Sequence, residues 1–401
     1  ELSPCLIDGI LRKGHKMLIS GPSKAGKSFL QIELCIAIAE GKKWLQWHCA
    51  QGRVMYVNLE LDRASCLHRF KDVYEAMGFT PDNLQNIDIW NLRGKSVPMD
   101  KLAPKLIRRA AKKNYVAIII DPIYKVITGD ENSADQMANF CNQFDKVCTE
   151  LGCAVIYCHH HSKGNQGGKK SMDRASGSGV FARDPDALLD LIELEPTEAL
   201  MKQEENKAIC KACTDYLDAH FKWEDDLSQD DLLSSAQMIS YCEAHLDRWQ
   251  KIALDKQIAE AKAAVQAHTA WRIEGTLREF PKFEPVNMWF EYPVHCLDQI
   301  GVLKDLELEA DKPAWQKGRE ARKKQGEQAR KAKKEKYKMA IENFRFTHED
   351  KYPTVKEVLK SDAEATGEKY PEEKTVRNSL KEIGFMVNKD TRCICPIPET
   401  F

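Results

Sequence analysis

The sequence predicts an α/β protein: a mostly parallel sheet with helices on both faces, then a charged helix and a small helix-and-hairpin domain. Three observations carry this. A glycine-rich stretch, Gly21-Pro22-Ser23-Lys24-Ala25-Gly26-Lys27-Ser28, lies between a hydrophobic strand, Met17 to Ser20, and an apolar-periodic helix, Phe29 to Ala39. Two later apolar runs end in a carboxylate, at Glu60 and at Asp121. Helical segments separate the runs, as the crossovers of a parallel sheet require.

The glycine-rich stretch has the spacing G-x-x-x-x-G-K-S, and each residue type has a mechanical reason. Glycines let backbone N–H groups curl around phosphates, Lys27 reaches the terminal pair, and the Ser28 hydroxyl ligates magnesium at a helix N-terminus. Gly21 to Ser28 are therefore expected to bind ATP with Mg2+.

The elements follow in order. Arg53 to Leu59 is a short β-branched and aromatic run introduced by Gln51-Gly52 and ending at Glu60. A carboxylate at a strand tip beside the phosphate loop is suited to orient an attacking water, so Glu60 is the expected catalytic base. Asp62 opens the next helix, Asp62 to Gly78, where capping is the simpler reading, and Glu33 sits among apolar residues of the first helix. A strand at Asn86 to Trp90 and a helix at Met99 to Lys113 precede Tyr115 to Asp121-Pro122, a continuous apolar run of the kind buried on both faces. Asp121 at its tip is expected to complete the magnesium shell begun by Ser28. After a helix at Ser133 to Leu151, the strand Cys153 to Cys158 runs into His159-His160-His161. Adjacent strand residues alternate in direction, so the three cannot share one metal, and His159 or His160 is expected to sense the terminal phosphate.

Residues 162–171 hold glycine and lysine without apolar anchors, which reads as a mobile loop. Lys163, Lys169 and Lys170 are its expected contacts to single-stranded nucleic acid in a ring's central channel. Arg174 first and Arg183 second are candidates for a finger reaching a neighbouring subunit, an effect worth about 10³ to 10⁵ in rate. Ala187 to Leu194 is a further strand.

These residues resemble the RecA-like ATPases, and within them the RepA-type hexameric replicative helicases of plasmids and phages and their AAA_25 relatives. The resemblance spans residues 1–300. It rests on Gly21 to Ser28, Glu60 followed by Asp62-Arg63, Asp121-Pro122, the histidines before a lysine-glycine loop, and the Arg174 to Gly179 block. It implies a hexamer that hydrolyses ATP, with single-stranded DNA in the channel and DNA replication as the setting. It gives the Glu60 position to the catalytic base, the histidines to phosphate sensing, and the arginine after the loop to action across the subunit interface. Non-helicase regulatory ATPases share the family, so an ATP-gated DNA-binding switch without unwinding activity is the alternative.

Residues 226–266 read as a helical insertion in the 1–300 domain. Cys210-x-x-Cys213 and Cys242-x-x-His245 have the spacing of zinc pairs but lie in helical patterns without the glycines of zinc knuckles. Trp271 to Phe280 and Val286 to Tyr292 alternate as a hairpin that would extend the sheet with antiparallel edge strands. Residues 301–340 form a lysine- and arginine-rich helical linker, either a solvated connector or a phosphate-facing arm. Residues 341–401 resemble a winged-helix module in pattern, three helices and a two-stranded wing. Its second paired helix would offer Lys374, Arg377 and Lys381 to duplex DNA, with a protein partner as the alternative.

Composition bounds the remaining classes. Lysine plus arginine number 60 against 61 for aspartate plus glutamate, so only local charge can speak for a polyanionic partner. The 14 cysteines lie mostly in apolar or helical contexts without a secretory leader, which points to free thiols in a cytoplasmic protein. No run has the roughly 18 uncharged apolar residues of a membrane span. The chain opens at Glu1 rather than methionine, which reads as a piece of something longer.

Overall fold

The computed structural model describes residues 2–127, 129–130, 133–160, 182–220, 222–223, 226–306, 314–348, 350–358, 373–389 and 391–397. Two compact units divide the chain, Glu1–Asp311 and Lys312–Phe401.

In the first unit β1 (Cys5–Ile7) and β2 (Leu11–Arg12) form a short hairpin ahead of β3 (Lys16–Gly21) and α1 (Lys27–Glu40). The small hairpin β4 (Lys43–Trp44) and β5 (Trp47–His48) precedes β6 (Arg53–Asn58) and α2 (Arg63–Met77). Then come β7 (Ile87–Asn91), α3 (Met99–Ala110), β8 (Tyr115–Asp121), α4 (Ala134–Leu151), β9 (Ala154–His160) and β10 (Ala187–Leu194). Helices α5 (Glu198–His220), α6 (Ser235–His245) and α7 (Arg248–Ala267) lead to β11 (Thr269–Leu277), β12 (Val286–Glu291) and β13 (Val294–Leu297).

Nine of these strands form one sheet in the order β13-β12-β11-β10-β3-β9-β8-β6-β7. From β10 to β7 every neighbouring pair is parallel, and from β10 to β13 every pair is antiparallel. This is the α/β order of a RecA-like P-loop core. Both faces are covered, which explains why the central strands read as unbroken apolar runs. Met17, Ile19, Val54 and Ile119 face the core shared with α1 and α2, while Leu18, Met55, Ile118 and Ile120 face that shared with α3 and α4.

Helix α1 is buried nearly all round, wedged between sheet, hairpins and α2. Its buried carboxylates are partnered: Tyr74 Oη and Asn83 Nδ2 donate to Glu40 at 2.9 and 2.8 Å. The Asp62 carboxylate accepts from the Ser65 backbone N–H at 3.0 Å, so Asp62 is the N-cap of α2, and Gly78 closes that helix at φ +65°.

The hairpin expected from Trp271 onward is β11–β12, with Thr269 opposite Phe290 and Ile273 opposite Val286. A third strand, β13, adds to its edge with His295 opposite Phe290. The helical segment begins at Glu198, ahead of the expected residue 226, and packs its own core. Cys210, Cys213 and Cys242 lie inside that core, and the His245 ring stacks on Tyr241 at 4.1 Å. Among the described residues no helix is long and apolar enough to cross a membrane.

In the second unit α8 (Ala314–Thr347) is one helix of 34 residues, running unbroken through the expected boundary at residue 340. Sequence character changes there because one face starts to be covered: Tyr337 and Ile341 pack with Val355, Val376, Leu380 and Ile394. Helix α9 (Glu373–Glu382) follows, then the antiparallel pair β14 (Phe385–Val387) and β15 (Ile394–Pro396). Arg330 and Lys334 both pair with Glu382, joining α8 to α9.

Candidate nucleotide-binding site

The carboxyl ends of β3, β6, β8 and β9 meet the N-terminus of α1 around a cavity of about 490 Å³. Its floor is the loop Ser23 to Ser28. Lys24 and Gly26 take φ of +66° and +71°, the left-handed turns that curl successive N–H groups toward one centre. Gly26 is required there by conformation and by space, because a Cβ would lie 3.2 Å from the His295 ring. Lys27 Nζ donates to the carbonyls of Gly21 at 2.9 Å and Pro22 at 2.6 Å, within the loop itself. Burial holds its ammonium below the ordinary value, against the pull of Asp121 and Glu60.

Ser28 Oγ donates to Asp121 Oδ1 at 3.0 Å. The carboxylate is 5% exposed and accepts further from Tyr56 Oη at 2.5 Å and Cys158 Sγ at 3.2 Å. Burial, then the charge of Asp121, pushes the Tyr56 hydroxyl well above its usual range, so it remains a donor. A hydroxyl and an oriented carboxylate side by side are the hard oxygen donors that magnesium takes, with its remaining positions left to water and phosphate. The residues therefore fit the ion.

Glu60 stands on the turn between β6 and α2, facing the same cavity. That turn is ordered by Asn58, whose Oδ1 accepts from the N–H groups of Glu60 at 3.3 Å and Leu61 at 2.9 Å. Asn58 Nδ2 donates to Leu61 O and to Asn91 Oδ1, pinning the turn to β7. Tyr124 Oη donates to Glu60 Oε1 at 3.1 Å. Asp62 lies two residues further on and is committed to its cap.

The two candidate histidines part company. His160 lines the cavity with Nδ1 at 3.2 Å from Lys27 Nζ, whereas His159 is 3% exposed and lies outside the lining. An ammonium can only donate, so Nδ1 accepts and the imidazole carries its hydrogen on Nε2.

The opposite wall is aromatic and cationic. Phe29 lies 5.6 Å from Phe290, and the Arg69 guanidinium sits 4.8 Å above the Phe29 ring. Behind it His295 donates its backbone N–H and approaches through Nδ1, at 2.7 Å, the buried carboxylate of Glu33. Burial pushes Glu33 upward despite the imidazole. None of Tyr56, Asn58, Tyr124, Arg69 or His295 stands out in the sequence. The one local hint is Tyr124, three residues beyond Asp121 on the same loop.

Arg183 is exposed just ahead of β10. Since Ala187 pairs with Met17, it stands at the end of the sheet opposite the phosphate loop. Its carbonyl and that of Asp184 accept from Arg278, while Lys16 pairs with Asp184 at 2.6 Å and Asp145 at 2.7 Å. Lys163, Lys169, Lys170 and Arg174 lie outside the described residues. On α9, Arg377 and Lys381 are exposed beside buried Val376 and Leu380, and the side chain of Lys374 is outside the description.

Residues 4–166 match the AAA_25 family model, described as an AAA domain. The matched stretch holds Lys27, Ser28, Glu60, Asp121 and His160 and stops short of Arg183. Over that stretch the chain is similar to an AAA domain, and the sheet order is that of a RecA-like P-loop fold. Among solved structures, one described as an ATPase domain is 13% identical with a TM-score of 0.40, over 71% of this chain and 85% of that chain.

Proposed function

We propose that this chain is an ATP-hydrolysing nucleic-acid motor of the helicase type. The observation that carries the reading is the convergence of Lys27, Ser28 with Asp121, Glu60 and His160 on one cavity of about 490 Å³. Lys27 exchanges its loop carbonyls for the terminal phosphates of ATP, and the loop N–H groups of residues 23–28 hold the others. Ser28 and Asp121 would hold magnesium, which neutralises charge on the transferred phosphoryl group. Glu60 orients the attacking water in line and takes its proton. His160, bonded to Lys27, registers whether the terminal phosphate is present. Phe29, Phe290 and Arg69 offer flat apolar and cationic faces of the kind that hold a nucleobase.

Assembly into a homo-oligomeric ring, a hexamer by resemblance, is part of the proposal. What supports action in trans is the position of Arg183, at the end of the strands opposite its own phosphate loop. Arg174 remains the other candidate. Single-stranded DNA would pass Lys163, Lys169 and Lys170 in the channel, with replication of a plasmid, phage or mobile element in the cytoplasm as the setting. The second unit is proposed as a winged-helix-like module that meets duplex DNA through Lys374, Arg377 and Lys381. Its separate core favours a second reading as well, an ATP-gated DNA-binding switch that does not unwind.

Steady-state ATP turnover tests the site. Lys27→Ala and Glu60→Gln are expected to lower kcat by about 10² or more, as for loss of a group acting on the transition state. Only Lys27→Ala should also weaken ADP binding. Turnover by Lys27→Ala equal to that of the parent chain would refute the reading.

A further inference from the structure

The mouth of the cavity carries a residue that the chemistry above leaves without a role. Tyr124 sits on a single 3-10 turn, Ile123–Lys125, directly after β8. Its neighbours Ile123 and Val126 are buried, so the turn is anchored from both sides. Its hydroxyl donates to Glu60 Oε1 at 3.1 Å, and its ring lies 5.7 Å from that of His160 at 40°. Lys125 Nζ stands 4.9 Å from the centre of the same ring.

We propose that Tyr124 is a positioning residue for hydrolysis, holding Glu60 through its hydroxyl and His160 through its ring, so that the state of the phosphate at Lys27 sets where the Glu60 carboxylate points. Glu60 is exposed and lacks the packing that fixes buried side chains. Among the described residues Tyr124 is the one side chain that hydrogen-bonds its carboxylate. His160 is bonded in turn to Lys27, so the contacts run Lys27, His160, Tyr124, Glu60 around the mouth without a gap. A bond to an ionised acceptor is stronger than a neutral one, enough to choose between rotamers of an exposed side chain. When Lys27 leaves its loop carbonyls for a phosphate, its contact with His160 changes, and the ring shared with Tyr124 passes that change to the hydroxyl end. Burial, and the nearby Glu60 charge with it, raise the Tyr124 phenol above its ordinary range, which keeps it a donor through neutral pH.

The inference rests on Glu60 being the group that orients the water. The test is steady-state kinetics of the full chain as Tyr124→Phe, Tyr124→Leu, Glu60→Gln and the double variant Glu60→Gln/Tyr124→Phe, with ADP affinity measured alongside. Tyr124→Phe keeps the ring and removes only the hydroxyl. It is expected to lower kcat about tenfold while KM and ADP affinity stay within about twofold. Tyr124→Leu should lower kcat further, because the contact with His160 is lost too. In the Glu60→Gln background the Tyr124→Phe change should cost nothing more, as for two residues acting as one unit. The proposal is overturned if Tyr124→Phe keeps the parent kcat, or if its full cost persists without the Glu60 carboxylate. Parent-like turnover by Glu60→Gln would remove the premise instead, a result visible without any Tyr124 variant.

Discussion

Asp121 and Lys27 show how a side chain's surroundings decide what it can do. Asp121 is useful because three donors, Ser28, Tyr56 and Cys158, aim an otherwise mobile carboxylate. Lys27 is buried, and burial lowers its ammonium from the ordinary value of 10.5. A phosphate favours the charged form, so above the lowered value nucleotide binding must take up a proton. Affinity therefore falls as pH rises through that value, earlier than a solvated lysine would allow. ADP titrations between about pH 7 and 10 should show this fall, and Lys27→Arg, whose guanidinium stays charged throughout, should not. An identical alkaline limb in both would place the titrating group elsewhere. Ser28, Glu60 and Asp121 were legible in sequence because each ends or starts a run of local periodicity. Tyr56 and Asn58 were not, since their roles need β6 registered beside β8 and β7. The Glu33–His295 pair joins residues 262 apart in sequence, which no local pattern records.

At the scale of elements, the central strands could be read because each is buried on both faces and flanked by turn residues. Strand β13 was not, because four residues after Pro293 carry too little periodicity to distinguish a strand from a loop. The helical segment starts ahead of the expected residue for a similar reason: in α5 no position between Leu200 and Ile209 is buried, so its first turns carry little apolar periodicity. Hairpin β11–β12 was visible from alternation, and its packing depends on one glycine. A Cβ on Gly275 would fall 2.2 Å from the Phe283 ring, which packs edge-on against Trp47 at 5.1 Å. Gly275→Ala should displace Phe283 and cost about 1–3 kcal/mol in urea unfolding. An unaltered midpoint would mean that Phe283 does not cover this strand in solution.

For the whole molecule, the division at Asp311 and Lys312 separates a nucleotide-binding unit from a unit with its own small core. Charge follows that division. The long helix α8 is rich in lysine and arginine, and α9 presents Arg377 and Lys381 together. Such surfaces bind polyanions with affinities that fall steeply as salt rises. ATP hydrolysis in the first unit is proposed to be coupled to nucleic acid. The most direct measurement is ATP turnover of the full chain with magnesium, with and without single-stranded DNA, at low and moderate salt and with Lys27→Ala as the blank. Single strands should stimulate turnover severalfold, and added salt should reduce it toward the basal rate. Turnover indifferent to single strands at both salts would contradict the proposed coupling.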